Sequence, residues 1–263
     1  MKILIIGRGK IATSIKKNKI KNISFIEEKD IVKNKNIDYM FICCHYKKAS
    51  KYIKKYMNLI DKKIIDFSGY SKYKGLNPKE KDYTYAFKEA YNPNAKIIAM
   101  QGCSAYGVSN ILYPIKDEIN KIENPIFIDV TFPITAISNN SKNKKNLNNN
   151  IIGLLYNKHD HQKELRKLFN NKNIIYSPKI STNDKSIFIN IFISSKNSLS
   201  VYNKLKKYIK NSNLIKEKET PLNNTNIKES DEIECFLEKV KNGLIINLTV
   251  DNMPNLKYIS YLK

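Results

Sequence analysis

In Ala99-Met-Gln-Gly-Cys-Ser-Ala-Tyr-Gly-Val108 a cysteine stands where an apolar strand pattern gives way to a helical one. A thiol in a helix's first turn sits in the positive partial charge of unsatisfied N–H groups. That charge lowers its pKa and raises the thiolate fraction at neutral pH. Cys103 is therefore the candidate nucleophile. Cys43, Cys44 and Cys235 show no C-x-x-C spacing, and His45 alone beside Cys43 and Cys44 makes a poor metal site. These three read as core filler, and no metal centre is expected.

A second chemical signal opens the chain. Gly7-Arg8-Gly9-Lys10-Ile11-Ala12 follows the apolar run Lys2–Ile6 and precedes a helical pattern. In that context the first glycine makes the tight turn and the second lets backbone N–H groups approach a pyrophosphate. The small third residue lets helix and strand pack, and the helix N-terminus favours phosphate charge. Glu27 and Glu28 stand where a carboxylate would accept ribose hydroxyls, which favours NAD. Arg8 and Lys10 stand where a 2′-phosphate could be met, which favours NADP. NADP is taken as the first expectation, with NAD left open.

The elements that must position these residues follow from periodicity. Lys2–Ile6, Ile23–Ile26, Tyr39–Cys43, Lys63–Phe67 and Ala95–Met100 read as buried parallel strands. Between them Ile11–Asn18, Lys47–Leu59 and part of the Lys79–Tyr91 region read as helices or loops. This predicts an α/β protein with a Rossmann-type doubly wound parallel sheet, its ligands at the carboxyl ends of the strands. Beyond it, Ser104–Ile119 reads as helix, Pro125–Thr131 as strand and Ser138–Asn150 as an exposed loop. Apolar segments follow at Ile151–Tyr156 and Ser186–Ile193, with helices at Gln162–Asn170, Leu199–Lys210 and Ser230–Lys241 and a last strand at Leu244–Val250. The second part is expected to be α+β with a mixed or antiparallel sheet. The expected division is a dinucleotide-binding domain over 1–103, a catalytic and association domain over 104–245, and a return segment to the first domain over 246–263.

Bulk properties exclude other classes. The chain has 263 residues, 41% of them hydrophobic. Its apolar runs fall short of the ~18–20 residues of a membrane helix, and Ile3–Ile6 is too short for a signal peptide. A cytoplasmic protein is expected. The net charge of +23 comes almost entirely from lysine, with Arg8 and Arg166 the only arginines. Lysine spread over every solvated face reads as low-GC drift, whereas nucleic-acid readers favour arginine. No nucleic-acid or membrane partner is expected.

The landmarks together resemble a family. Asp66-Phe-Ser-Gly-Tyr70, Tyr85-Ala-Phe-Lys-Glu89 and Gln101-Gly-Cys103 are similar to the aspartate-leucine-serine, Tyr-Gly-Leu-Pro-Glu and Pro-Gly-Cys segments of N-acetyl-gamma-glutamyl-phosphate reductases. Tyr39–Cys44 with His45 is similar to the strand ending in Pro-His that precedes them. His159-Asp-His-Gln-Lys-Glu164 is similar to the family's His-Arg-His-x-Pro-Glu segment, and Val250-Asp-Asn-Met253 to its Asp-Asn-Leu segment. The landmarks occur in family order over nearly the whole chain.

The resemblance implies reduction of N-acetyl-glutamyl phosphate to its semialdehyde, in arginine biosynthesis. Cys103 would be the thioester-forming nucleophile, and His161, or else His159, the acid/base. It also implies Ser68 beside the cofactor bound at Gly7–Ala12, a small-molecule acyl phosphate as substrate, and a homodimer or homotetramer. Two other readings stay open. One is a related semialdehyde dehydrogenase acting on aspartyl phosphate or a carrier-bound amino acid. The other is a non-catalytic nucleotide-binding homologue, in which the histidines are an exposed pair at a helix start.

Overall fold

The computed structural model describes residues 1–17, 23–27, 36–136, 147, 150–154, 158–182, 186–223 and 230–252. Glu28, Ser138, Met253 and the tail after it lie outside the described residues, as does all of the 138–150 tract except Leu147 and Asn150. The chain divides into two compact units, Met1–Gln101 and Gly102–Lys263.

Six parallel strands build the first unit: β1 (Lys2–Ile6), β2 (Ser24–Glu27), β3 (Ile37–Ile42), β4 (Ile60–Asp66), β5 (Tyr83–Tyr85) and β6 (Ile97–Ala99). Their order is β2-β1-β3-β4-β6-β5, so the winding direction reverses between β1 and β3. The α/β doubly wound sheet expected from sequence is what the structure shows. Helices α1 (Lys10–Lys17) and α2 (Tyr46–Tyr56) follow β1 and β3, and the short α3 (Lys72–Gly75) follows β4. Near-continuous apolar strands such as Ile3–Ile6 and Met40–Ile42 are fully buried, as a sheet covered on both faces requires. Tyr83–Tyr85, read as helix or loop, is instead an edge strand paired with β6. At three residues it is too short to show a period.

A seven-stranded mixed sheet forms the second unit, in the order β11-β12-β13-β10-β7-β9-β8. Its strands are β7 (Ile126–Pro133), β8 (Ile152–Gly153), β9 (Ile174–Ser181), β10 (Ser186–Ser194), β11 (Ile215–Glu217), β12 (Ile233–Val240) and β13 (Gly243–Asp251). The helices are α4 (Cys103–Leu112), α5 (Lys116–Lys121), α6 (Asp160–Leu168) and α7 (Ser198–Lys210). Among the described residues no helix is long and apolar enough to cross a membrane.

Three sequence expectations change here. Ser230–Lys241, expected as a helix, is the strand β12 (Ile233–Val240). Its apolar residues Ile233, Cys235 and Leu237 alternate, and it pairs with β13. The helix over Ser104–Ile119 breaks into α4, a 3₁₀ turn at Tyr113–Ile115 and α5, because Pro114 cannot continue an α-helix. Residues 246–251 of the expected return segment lie in β13, an interior strand of the second sheet. The two-residue connection from β12 to β13 holds Asn242 in the left-handed region at φ 59°. Asn36 and Asn170 adopt the same conformation in other turns.

Alternation gives the second sheet two faces. Ile128, Val130, Ile189, Ile191, Ile246 and Leu248 are buried together on one, and α4 packs on that face with Gly107 against Val250 and Ile189. On the opposite face Ile175, Phe127, Phe192 and Ile245 are cross-strand neighbours in a single row. Phe127 is 48% and Phe192 42% exposed.

Candidate active site

In the first unit the glycine turn lies at the reversal between β1 and β3, the place where open α/β sheets bind ligands. Gly7 has φ +120°, and a β-carbon there would come within 2.6 Å of the Cys43 carbonyl oxygen. The two carboxyl-end loops meet at that point, which only glycine permits. Gly9, by contrast, has nothing within 4 Å of the position a β-carbon would take. Thr13 N–H bonds the Gly9 carbonyl as α1 begins, and the first turn of α1 carries no acidic residue. Arg8 and Lys10 are exposed at the turn, Ile11 is half-buried and Ala12 packs in the core. A room-leaving glycine at a helix start with cations beside it fits a dinucleotide pyrophosphate.

Glu27, at the end of β2, is held by Lys16 at 2.7 Å. Ser68 belongs to a turn organised by Asp66. The buried Asp66 carboxylate accepts Ser68 N–H at 2.8 Å and Ser68 O–H at 2.5 Å through Oδ1, and Ser71 N–H at 2.8 Å through Oδ2. Asp66 carried no signal of this role beyond its place in the matched segment.

Gly7→Ala should destabilise the first unit by at least about 1–3 kcal/mol, through strained backbone and the Cys43 contact. Gly9→Ala should leave the melting temperature unchanged and weaken nucleotide binding. Calorimetry and cofactor titration on the pair would separate the two effects.

In the second unit Cys103 is the first residue of α4, half-exposed, with Gly102 as its N-cap. His159 caps α6, its Nδ1 accepting His161 N–H at 3.3 Å. His161 lies in the first turn of that helix. Its Nδ1 is 2.6 Å from Ser104 Oγ, and Ser104 Oγ is 2.5 Å from Tyr176 Oη. The opposite edge of the ring lies against Gly102, where a β-carbon would meet His161 Nε2 at 2.2 Å. His159 stacks between Phe132 and Tyr176, with ring centroids 5.7 and 5.1 Å away, and meets His161 edge-on at 4.6 Å.

Glu164 is one helical turn beyond His161 on the same face of α6. It is fully buried, its Oε1 accepts Gly102 N–H at 2.9 Å, and its Oε2 faces Gly102 from the side that Nε2 occupies. The structure thus brings His161, His159 and the Gly102–Cys103 segment together in one unit. Gly7, Arg8, Gly9, Lys10, Ile11, Ala12 and Ser68 belong to the other.

Ser104, Glu164 and Tyr176 were not singled out by sequence. Glu164 could have been, by its three-residue spacing from His161. Tyr176 could not, because β9 carries Pro178 and does not read as an interior strand. The remaining thiols divide by burial, which pushes Cys43 and Cys235 up to about 12, so both stay protonated at neutral pH.

No protein-family model matches this chain, and no curated protein matches it by sequence. Solved structures do. It is similar to aspartate semialdehyde dehydrogenase II of Vibrio cholerae in complex with ASA, at 13% identity and a TM-score of 0.71, covering 99% of this chain and 97% of that one. It is also similar to a probable aspartate-semialdehyde dehydrogenase of Pseudomonas aeruginosa, at 7% identity and a TM-score of 0.70 over 100% and 98% of the two chains. The aspartate semialdehyde dehydrogenase of Francisella tularensis matches at 10% identity and a TM-score of 0.67 over 100% and 99%. At these identities the likeness is one of architecture: both units of this chain, in this order, make up the fold of those dehydrogenases.

Proposed function

We propose that this chain is a nicotinamide-dependent semialdehyde dehydrogenase that reduces an acyl phosphate through a thioester on Cys103. The observation that carries this reading is the docking of the His161 imidazole edge on the Gly102 backbone beside a thiol at a helix start. Aspartyl phosphate is the first substrate to consider, because the solved structures of like fold are described as aspartate semialdehyde dehydrogenases. N-acetyl-glutamyl phosphate, suggested by the order of the sequence landmarks, is the second.

Cys103 Sγ attacks the acyl carbon, the C–S bond forms, the C–O bond to phosphate breaks and phosphate leaves. A bound reduced nicotinamide cofactor supplies the hydride that takes the thioester to the aldehyde level. NADP is preferred over NAD, since Lys16 offsets the Glu27 charge and Arg8 stands at the turn. His161 Nε2 hydrogen-bonds the carbonyl oxygen as negative charge develops there, and Cys103 departs as thiolate when the thiohemiacetal collapses.

The assay runs the reaction backwards. Phosphate-dependent reduction of NADP⁺, and in parallel NAD⁺, is measured with aspartate semialdehyde and with N-acetylglutamate semialdehyde. Turnover that requires phosphate supports the reading, and the faster semialdehyde names the substrate. Nucleotide binding with no turnover on either substrate would sink it in favour of a non-catalytic homologue.

We further infer that a second copy covers the open face of the seven-stranded sheet. The contiguous row Ile175–Phe127–Phe192–Ile245 is an apolar stripe of the kind that marks association surfaces. Light scattering should give a dimer or tetramer for the wild type and a monomer for Phe127→Glu with Phe192→Glu.

A further inference from the structure

The chain Tyr176 Oη–Ser104 Oγ–His161 Nδ1 contains two hydrogen bonds, and the surroundings decide which way they run. Tyr176 is buried, and burial holds its phenol well above the usual tyrosine range, so it keeps its proton at every working pH. Among the described residues the hydrogen-bond partners of Tyr176 Oη are Ser104 Oγ at 2.5 Å and, more distantly, His161 Nδ1 at 3.4 Å. If His161 Nδ1 donated to Ser104, either the serine hydroxyl would donate to Tyr176 and leave the phenol hydrogen without an acceptor, or Ser104 would accept from both neighbours and its own hydrogen would be left without one among the described residues. An orphaned buried donor is costly. Run the other way, Tyr176 donates to Ser104, Ser104 donates to Nδ1 and every hydrogen is used. The imidazole proton is then on Nε2, at the edge that faces Gly102 and the Glu164 carboxylate.

We propose that Ser104 and Tyr176 are positioning residues that fix neutral His161 in the Nε2–H tautomer and aim that N–H at the reacting oxygen beside Cys103. Its catalytic part rests on the dehydrogenase reading above. Neutral His161 is thereby a donor at Nε2, so it stabilises a developing oxyanion rather than withdrawing a proton from the Cys103 thiol. The groups that face the ring are Ser104 from α4, Glu164 and the capping His159 from α6, Tyr176 from β9 and Phe132 from β7, and Cys103 stands in sequence between Gly102 and Ser104, which meet the ring's two edges. The cue is an alternation: one residue after the nucleophile holds the far side of the acid.

The test is ¹⁵N NMR of the full chain labelled at histidine, which gives signals from His45, His159 and His161 only. The His161 signals, assigned by loss in His161→Gln, should show a single Nε2–H tautomer above the pH at which the ring is neutral. Tyr176→Phe leaves the Ser104 hydroxyl able to donate or accept, so a mixture of tautomers should appear. Ser104→Thr keeps the hydroxyl and should keep the single form. A wild-type Nδ1–H tautomer overturns the proposal, and so does a Tyr176→Phe spectrum identical to wild type.

If the enzyme turns over, Tyr176→Phe should lower kcat roughly two- to tenfold with KM unchanged, since only the Nε2–H fraction is productive. A fall in KM alone would also overturn it. The spectrum needs no substrate, so an inactive wild type defeats the dehydrogenase reading and leaves the tautomer to decide this one.

Discussion

Cys103→Ala should abolish phosphate-dependent oxidation of the semialdehyde, a loss of at least about 10⁴-fold, as expected when a covalent nucleophile is removed. The fold should survive, because Cys103 is half-exposed at a helix start and is not packed in the core. Cofactor affinity should hardly change, because the turn at Gly7–Ala12 belongs to the other unit. Cys43 and Cys235 cannot substitute, since desolvation holds both thiols near 12. Iodoacetamide adds a check that needs no substrate. In the wild type, mass spectrometry should find fast labelling at Cys103 ahead of Cys43 and Cys235, and the fast phase should vanish in Cys103→Ala. Equal labelling of Cys103 and Cys235 would count against an activated nucleophile.

Gly102→Ala is the second large effect, and here a single methyl group does the damage. Its β-carbon would stand 2.2 Å from His161 Nε2, 2.3 Å from Cδ2 and 2.9 Å from Glu164 Oε2. The ring cannot swing aside cheaply, because Ser104 holds Nδ1 at 2.6 Å on its other edge. Glu164 is tied to the Gly102 N–H. Either the imidazole or the α4 start must therefore move by more than an ångström. Overpacking of this kind costs about 1–3 kcal/mol, and displacement of a catalytic group by 1 Å costs roughly 10²-fold in rate. Turnover should fall by at least that factor while cofactor binding stays intact. A Gly102→Ala protein with wild-type kcat would show that the imidazole edge has no catalytic part.

The parallel sheet was legible because its strands are buried on both faces and read as apolar runs of a length helices do not have. The turn at Gly7–Ala12 was legible because strand, glycines and helix follow one another within a dozen residues. Cys103 was legible from its place at a strand-to-helix change. The second sheet was harder to read. Its strand at Ile233–Val240 is rich in charged helix formers on the exposed side, and only its neighbour β13 decides the matter. Tyr176 was beyond reach for a related reason. Its partners Ser104 and His161 are 72 and 15 residues away in sequence, and only the folded strand order brings the three together. Local pattern shows which thiol stands at a helix start, whereas the side chains that meet His161 come from tertiary contacts.

Asparagine carries the left-handed turns at Asn36, Asn170 and Asn242, the conformation glycine usually supplies. It does so in a chain with only 8 glycines among its residues, and Asn is the L-residue that tolerates this backbone best. Glycine and asparagine are thus exchangeable at such a bend without moving the strands on either side. Only positions like Gly7 and Gly102, where a neighbouring atom fills the place of a β-carbon, forbid the exchange. A chain that meets its bends with asparagine can therefore do without much of the usual glycine spacing while keeping the same backbone path.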